Sequence, residues 1–194
     1  MDEMSAGERA REVVAELDHV DRMVYAAIAG TTTPSIDNGM RRLSNAANNS
    51  RLWMGVAGAL ALFGPRGRKA AVTGLIAVAA TSAITNLLLK TTVVRGRPDR
   101  EAAAVARTRH VRMPESTSFP SGHSASAFAF ATAAGDVLPS VTVPLHAVAG
   151  TVAYSRIHTG VHYPGDVVVG SFVGFIVGTA VSALARRVSR AAGG

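Results

Sequence analysis

A chain of 194 residues with no cysteine, 48% hydrophobic but only 5% aromatic and 17% charged residues, and a net charge of +7 sets the first bounds. Disulfides and thiolate metal sites are excluded, the length fits one domain, and an apolar share carried by Ala, Val and Gly points to membrane helices packed through small side chains. The positive charge suits an anionic membrane or an anionic substrate, whereas nucleic-acid binding lacks a reader module or interleaved stacking aromatics.

Asp2, Glu3, Glu8, Glu12 and Glu16 stand where a signal peptide would carry its basic and apolar regions, so insertion is expected from internal segments. From about Ser5 to Ala29 the apolar positions Val13, Val14, Leu17, Val20, Val24, Ala27 and Ile28 recur at helical spacing among acids and arginines. This is an amphipathic helix too charged to span. Thr31 to Ser35 is a turn, and Ser35 or Asp37 is the candidate cap of a second short helix through Met40, Leu43 and Ala47. Both helices are expected to lie along a membrane surface.

Leu52 to Pro65 is uncharged yet shorter than the roughly 20 residues a bilayer core demands. Ala70 to Leu89 is uncharged and long enough, and is the clearest span. Lys90 to Pro120 reads as a solvated basic loop. Ser121 to Gly135 and Val141 to Tyr154 follow as an antiparallel pair, and Val167 to Ala185 is the last uncharged run. Gly170, Gly174 and Gly178 recur every four residues on that run, a row that suits close helix approach within the chain or between two copies. A homo-oligomer is therefore possible but not indicated.

The expected fold is all-α: an integral membrane helical bundle of about five spans, preceded by N-terminal amphipathic, interfacial helices. Residues 1–194 form one unit, with 1–50 interfacial and 51–187 the transmembrane catalytic core.

Back-and-forth threading places Lys90 at the end of one span, His123 at the start of the next, Arg156 at the end of the fourth and Asp166 at the start of the fifth. All four then share one membrane face, where ionisable groups are costly unless they do something. Lys90 and Arg97 are fixed cations, and Arg suits bidentate contact with phosphate oxygens. In Pro120-Ser121-Gly122-His123, Ser121 can cap the helix and Gly122 lets backbone amides approach an anion. Arg156 adds a guanidinium, and Asp166 lies four residues after His162, so it can hold one ring nitrogen and leave the other as a nucleophile.

Lys90-x6-Arg97-Pro98, Pro120-Ser121-Gly122-His123 and Ser155-Arg156-x5-His162-x3-Asp166 resemble the three signature motifs of the type 2 phosphatidic acid phosphatase family, which is related to vanadium-dependent haloperoxidases. The resemblance implies a phosphatase without metal or other cofactor, with His162 as nucleophile, Asp166 orienting it and His123 protonating the leaving oxygen. It also implies that Lys90, Arg97, Ser121, Gly122 and Arg156 hold the phosphoryl oxygens. The implied partners are a phosphorylated lipid and the bilayer that carries it, with phosphatidic acid, phosphatidylglycerophosphate, a polyprenyl diphosphate and a polyprenyl-linked sugar phosphate as candidate substrates. Two alternatives are a vanadate-dependent haloperoxidase-like enzyme and a non-catalytic lipid-binding scaffold.

Arg66, Arg68, Lys69, Arg186, Arg187 and Arg190 fall at the end opposite the motifs and favour that face as cytoplasmic. The expected place is a bacterial plasma membrane with the site on its outer face. His158 lies near the third motif, where lining the pocket and a structural role are both open, and it is left outside the site, while His146 is expected to bond a carbonyl freed by Pro144.

Overall fold

The computed structural model describes residues 5–191, so the ends of the expected 1–194 unit, with Asp2 and Glu3, lie outside the described residues. The described chain is helical: α1 (Ala6–Gly30), α2 (Pro34–Ala46), α3 (Arg51–Ala61), α4 (Gly64–Ile84), α5 (Gly122–Val137), α6 (Thr142–His158) and α7 (Pro164–Ala191). Ser5 caps α1 reciprocally with Glu8, its hydroxyl accepting from the Glu8 amide while the Glu8 carboxylate accepts from the Ser5 amide. Past Ile84, α4 loosens into a π-helical turn over Thr85–Leu89 and ends in Lys90–Thr92.

The helix α5 is the hub, packing most extensively on α7, then on α4 and α6. Its composition explains the position. Ala125, Ala127, Ala129, Ala131, Ala133 and Ala134 are buried around the whole circumference, so three neighbours can approach its backbone at once. The glycine row of α7 completes the fit. A Cβ at Gly170 would overlap the Ser121 carbonyl oxygen, one at Gly174 the Ala125 carbonyl oxygen, and one at Gly178 would lie 2.8 Å from the Ala129 carbonyl oxygen. The row is thus spent on packing within the chain. Bulk is supplied by Phe130 of α5 against Trp53 of α3, with ring centroids 5.1 Å apart.

Only Gly64–Leu87 and Pro164–Ala191, among the described residues, are both long and apolar enough to cross a bilayer by themselves. The expected five spans are therefore not matched helix by helix. With 11, 16 and 17 residues, α3, α5 and α6 reach at most about 26 Å at 1.5 Å per residue, short of the roughly 30 Å hydrocarbon core. The cationic ends do lie together. Lys69 Nζ donates to Ser189 Oγ at 3.0 Å, and Arg186 pairs with Asp136 at the end of α5.

Two sequence expectations fail for one reason, a buried ion cluster. Asp37 caps nothing: α2 starts at Pro34, a favoured first helical residue, after a Thr33 that makes no capping bond. Instead the Asp37 carboxylate accepts from Arg109 Nε at 2.8 Å, Thr33 Oγ1 at 2.9 Å, Thr108 Oγ1 at 3.1 Å and His158 Nε2 at 3.0 Å. Nor is the basic loop merely solvated. Arg109 is 1% exposed, and its guanidinium also donates to the carbonyls of Ile28, Ala29 and Thr31 at the end of α1. One arginine thus ties together the loop, α1 and α2, and through Asp37 it is linked to His158 at the end of α6. Arg109→Ala is expected to cost about 3 kcal/mol, the low end for breaking a buried pair because Asp37 keeps its other partners. Thermal unfolding in detergent checks this as a fall of roughly 6–12 °C.

Candidate active site

The third motif is shaped by how α6 stops and α7 starts. Gly160, at φ +70°, takes the left-handed conformation that ends a helix, and the Arg156 carbonyl then accepts from the Val161 and His162 amides at 3.1 and 3.2 Å. Any Cβ at Gly160 would sit 3.0 Å from both Arg100 Cγ and Tyr25 Oη. Pro164 then opens α7, and Asp166 reaches back to accept the Tyr163 amide at 2.9 Å. His162 is fixed in the turn between these two helix ends, 2% exposed.

Around His162 the expected residues converge. Arg97 NH1 lies 3.3 Å from His162 Nε2. Because a guanidinium only donates, Nε2 is the accepting nitrogen and the ring proton belongs on Nδ1. The Nδ1 atom lies 3.4 Å from Asp166 Oδ2, beyond good hydrogen-bond length, and has no other partner. Burial, with the Arg156 and Arg97 charges adding to it and Asp166 opposing it, pulls His162 from its ordinary 6.5 down to about 4. The ring is neutral at pH 7 with a lone pair on Nε2. An NMR titration of the His162 ring in detergent is expected to show its midpoint near pH 4, and a midpoint near 6.5 would contradict this burial.

Lys90 Nζ and Arg97 NH2 share Ser116 Oγ, at 3.1 and 3.3 Å. Arg97 is held rigidly by the carbonyls of Ser116, Val161 and Thr117. Arg156, 1% exposed, donates from NH1 to the Ser44 hydroxyl at 2.5 Å and carbonyl at 3.2 Å, and keeps a buried Nε without a partner. Among the described residues, none of Lys90, Arg97 and Arg156 has a carboxylate within ion-pair distance. Three converging cations without an acid are costly to bury unless an anion joins them.

The second motif faces the same place. Phe119-Pro120 is a cis peptide, and the Ser121 amide donates to the Asp166 carbonyl at 2.9 Å, locking the start of α5 to the start of α7. Ser121 Oγ accepts from the Ser124 hydroxyl at 2.9 Å and amide at 3.4 Å, which leaves its own O–H to donate elsewhere. The amides of Gly122 and His123, in the first turn of α5, have no acceptor within the helix. His123 Nε2 lies 2.9 Å from Asn48 Oδ1, with Lys90, Arg97, Arg156 and His162 all within electrostatic reach. Lys90, Gly122 and His123 are among the residues lining a cavity of about 180 Å³.

Several participants carry no motif. Arg95 NH1 donates to Asp166 Oδ1 at 2.8 Å, Ser118 Oγ donates to Asp166 Oδ2, and NH2 of Arg95 pairs with both Asp18 and Asp21 at 2.7 Å. Arg95 also stacks on Tyr163 at 4.3 Å. The carboxylate behind His162 is therefore held from α1. Nothing in the sequence marks these partners beyond an arginine two residues before Arg97 and acids on one face of α1. Asn48 and Ser44, which orient His123 and Arg156, give no sequence signal.

The PAP2 superfamily model matches residues 71–190. A decaprenylphosphoryl-5-phosphoribose phosphatase of Mycolicibacterium smegmatis is 37% identical over 152 residues, 76% of this chain and 77% of that protein. The protein of the same name from Mycobacterium tuberculosis is 43% identical over 102 residues, 50% of this chain, and the match spans only about half (52%) of its length. Among solved structures, a PAP2-type phosphatidylglycerolphosphate phosphatase from Bacillus subtilis superposes with a TM-score of 0.70 at 22% identity, covering 89% of this chain and 88% of that one. Aquifex aeolicus LpxE gives 0.64 at 25% identity, covering 84% and 94%.

Proposed function

This chain belongs to the PAP2 superfamily, and from that premise we propose that it is a membrane lipid phosphate phosphatase working through a phosphohistidine. The observation that carries the proposal is the set of three buried or half-buried cations beside His162, namely Lys90, Arg97 and Arg156, none of them ion-paired with a carboxylate among the described residues, with Arg97 NH1 3.3 Å from His162 Nε2.

In the reaction, Lys90, Arg97 and Arg156 spread their charge over the phosphoryl oxygens, joined by the Ser121 hydroxyl and the Gly122 amide. The Nε2 lone pair of His162 attacks phosphorus, the bond to the leaving oxygen breaks, and His123 supplies the proton to that oxygen. Asp166 offsets the charge that develops on the His162 ring. The present 3.4 Å separation is expected to shorten as the ring becomes cationic, since catalytic hydrogen bonds tighten in the complex. Water then attacks the phosphohistidine in line, His123, now neutral, takes the water's proton, and the P–N bond breaks to return His162 and release inorganic phosphate. Three fixed cations do the charge neutralisation that metal ions provide in other phosphoryl-transfer enzymes.

The substrate is a phosphorylated lipid. The names of the mycobacterial relatives put a prenyl-linked sugar phosphate first among the candidates, ahead of phosphatidic acid, phosphatidylglycerophosphate and a polyprenyl diphosphate. The apolar belt of Val72, Ile76, Val168, Phe172, Phe175 and Ile176, exposed on α4 and α7, suits contact with lipid chains. On this reading α3, α5 and α6, each shorter than the hydrocarbon core, are carried by the two long helices as the remaining members of a five-span bundle in a bacterial plasma membrane. There α1 lies at the interface with Val13, Val14, Leu17 and Val20 towards lipid. The basic end faces the cytoplasm and the site faces out.

The test is phosphate release across those four lipids in detergent, without added metal. Release from at least one of them supports the reading. Release from none, by protein that unfolds cooperatively, overturns it.

A further inference from the structure

The end of the bundle away from His162, where α4 begins and α5 and α7 finish, carries a second group of cations that the reaction does not use. Arg66 lies in the first turn of α4 and Lys69 in the second, at the positive end of the helix dipole, where an acid is favoured and a cation is not. No side chain caps that end, and no acid stands in its first turn. The sequence has none to place there, since it is free of acids from Asp37 to Asp99. Lys69 Nζ donates to the neutral Ser189 hydroxyl at 3.0 Å, and Arg66 makes no hydrogen bond or ion pair among the described residues. The excess charge at the start of α4 is therefore uncompensated.

These groups surround a cavity. Arg66, Lys69 and Arg186 line it together with Asp136 and Ser182, so three cations face one carboxylate, and Arg186 already holds that carboxylate. Ser182 is 2% exposed, and its hydroxyl is buried without a partner. Serines inside this helix otherwise return their hydroxyls to the carbonyl four residues back, as Ser171 does to Val167 and Ser189 to Ala185. The Ser182 O–H is thus a donor in the cavity wall with nothing to donate to. Positive charge at one end of a bundle orients a membrane protein, but exposed charge is enough for that. Orientation accounts neither for a buried unpaired donor nor for a cavity of about 270 Å³ between the helix ends.

We propose that this cavity binds the phosphate headgroup of an anionic lipid in the leaflet opposite the active site. Phosphate oxygens accept from Arg66, Lys69 and the Ser182 hydroxyl, and their charge offsets the two cations at the positive end of α4. Basic pockets between membrane helices suit such headgroups. Size and surroundings favour a lipid over a free ion. About 270 Å³ corresponds to roughly nine water volumes, more than a single phosphate fills. The rest of the wall, Val137 and Ala185, is apolar, and in the adjoining turns Leu62, Phe63, Leu184 and Val188 are exposed, where the acyl chains of the same lipid can lie. The two helices that supply the cations are the two long and apolar enough to cross a bilayer. The inference uses that membrane placement and not the chemistry at His162.

The full-length protein in neutral detergent is titrated with phosphatidylglycerol, a phosphodiester with no terminal phosphate to release, while its unfolding temperature is followed. Phosphatidylcholine and inorganic phosphate are the comparisons. Phosphatidylglycerol is expected to raise the unfolding temperature saturably, as a ligand of the folded state does, and the other two at equal concentration to leave it almost unchanged. Half-saturation is expected to weaken at least tenfold when Arg66→Gln and Lys69→Gln are combined, and at least fivefold in Ser182→Ala. Without lipid, Ser182→Ala should be no less stable than the wild type, because it removes a buried hydroxyl that has no partner, so it keeps the test open should the double variant misfold. Arg68→Gln with Arg187→Gln removes two charges from the same end but outside the lining, and is expected to weaken half-saturation less than twofold. Equal losses in the two double variants, an unchanged Ser182→Ala titration, or no saturable effect of phosphatidylglycerol overturns the site. A response to inorganic phosphate equal to that of phosphatidylglycerol overturns the lipid as its occupant. The titration reads binding alone, so its outcome stands whether or not phosphate is released from any lipid, and failure of the phosphatase reading is seen separately.

Discussion

The His162→Ala protein is expected to fold normally and to lose phosphate release from every lipid phosphate by more than about ten-thousand-fold, the scale of removing a covalent nucleophile. The fold should survive because the groups behind the ring are satisfied without it. Asp166 keeps Arg95, Ser118 and the Tyr163 amide, and Arg97 keeps the carbonyls of Ser116, Thr117 and Val161. The three cations would still bind the phosphate, so affinity for the lipid should change far less than turnover. Asp166→Asn should cost less than His162→Ala, because an orienting group is lost while the attacking atom remains. Initial-rate phosphate release, with unfolding temperature as the control, checks both. Residual turnover of His162→Ala within a hundredfold of wild type would remove the ring from its role.

Gly174→Val is expected to prevent folding of the bundle. The glycine lies where α7 crosses α5, and a Cβ there would overlap the Ala125 carbonyl oxygen and come within 3.0 Å of the Ala129 nitrogen. Backbone cannot swing aside as a flexible side chain can, so the helices must separate. That separation would also pull apart the junction where the Ser121 amide meets the Asp166 carbonyl, joining the second motif to the third. Gly150 on α6 is the control, with nothing within 4 Å of its Cβ position. There a Gly→Ala change should stabilise by about 0.5–1 kcal/mol, as expected of a helix interior. Yield of monodisperse protein and its unfolding temperature separate the two outcomes. A well-folded Gly174→Val protein would mean that the glycine row serves something other than this crossing.

The candidate constellation is legible in the sequence because the chemistry of its members is written in residue type and spacing. His162 and Asp166 lie four residues apart on either side of the start of α7, and the cations fall at segment ends by simple back-and-forth threading. What escaped was what holds them. Arg95, Asp18 and Asp21 support Asp166 through pairs 71–77 residues apart in the chain. A charged residue in a sequence names no partner at that range. Asp37 illustrates the same limit, since its position early in a helix resembles a cap while its carboxylate is committed to Arg109 and His158. A glycine row in a sequence suits self-association and internal packing equally, and only the Ala125 and Ala129 backbone lying against it assigns it to the second. Span counting meets a different limit. Apolar runs such as Ser121 to Gly135 are uncharged because α5 is enclosed by α4, α6 and α7, and burial by protein yields the same composition as burial by lipid.

The proposed reaction stands on a covalent bond between His162 and phosphorus. The most direct measurement is an acid-free rapid quench of wild-type protein turning over a phosphate-labelled lipid, followed by peptide mapping of the bound phosphate. The expected result is label on His162, stable to base and lost in acid, and absent from the His162→Ala protein. Turnover with no labelled protein, or label carried by another residue, would contradict it.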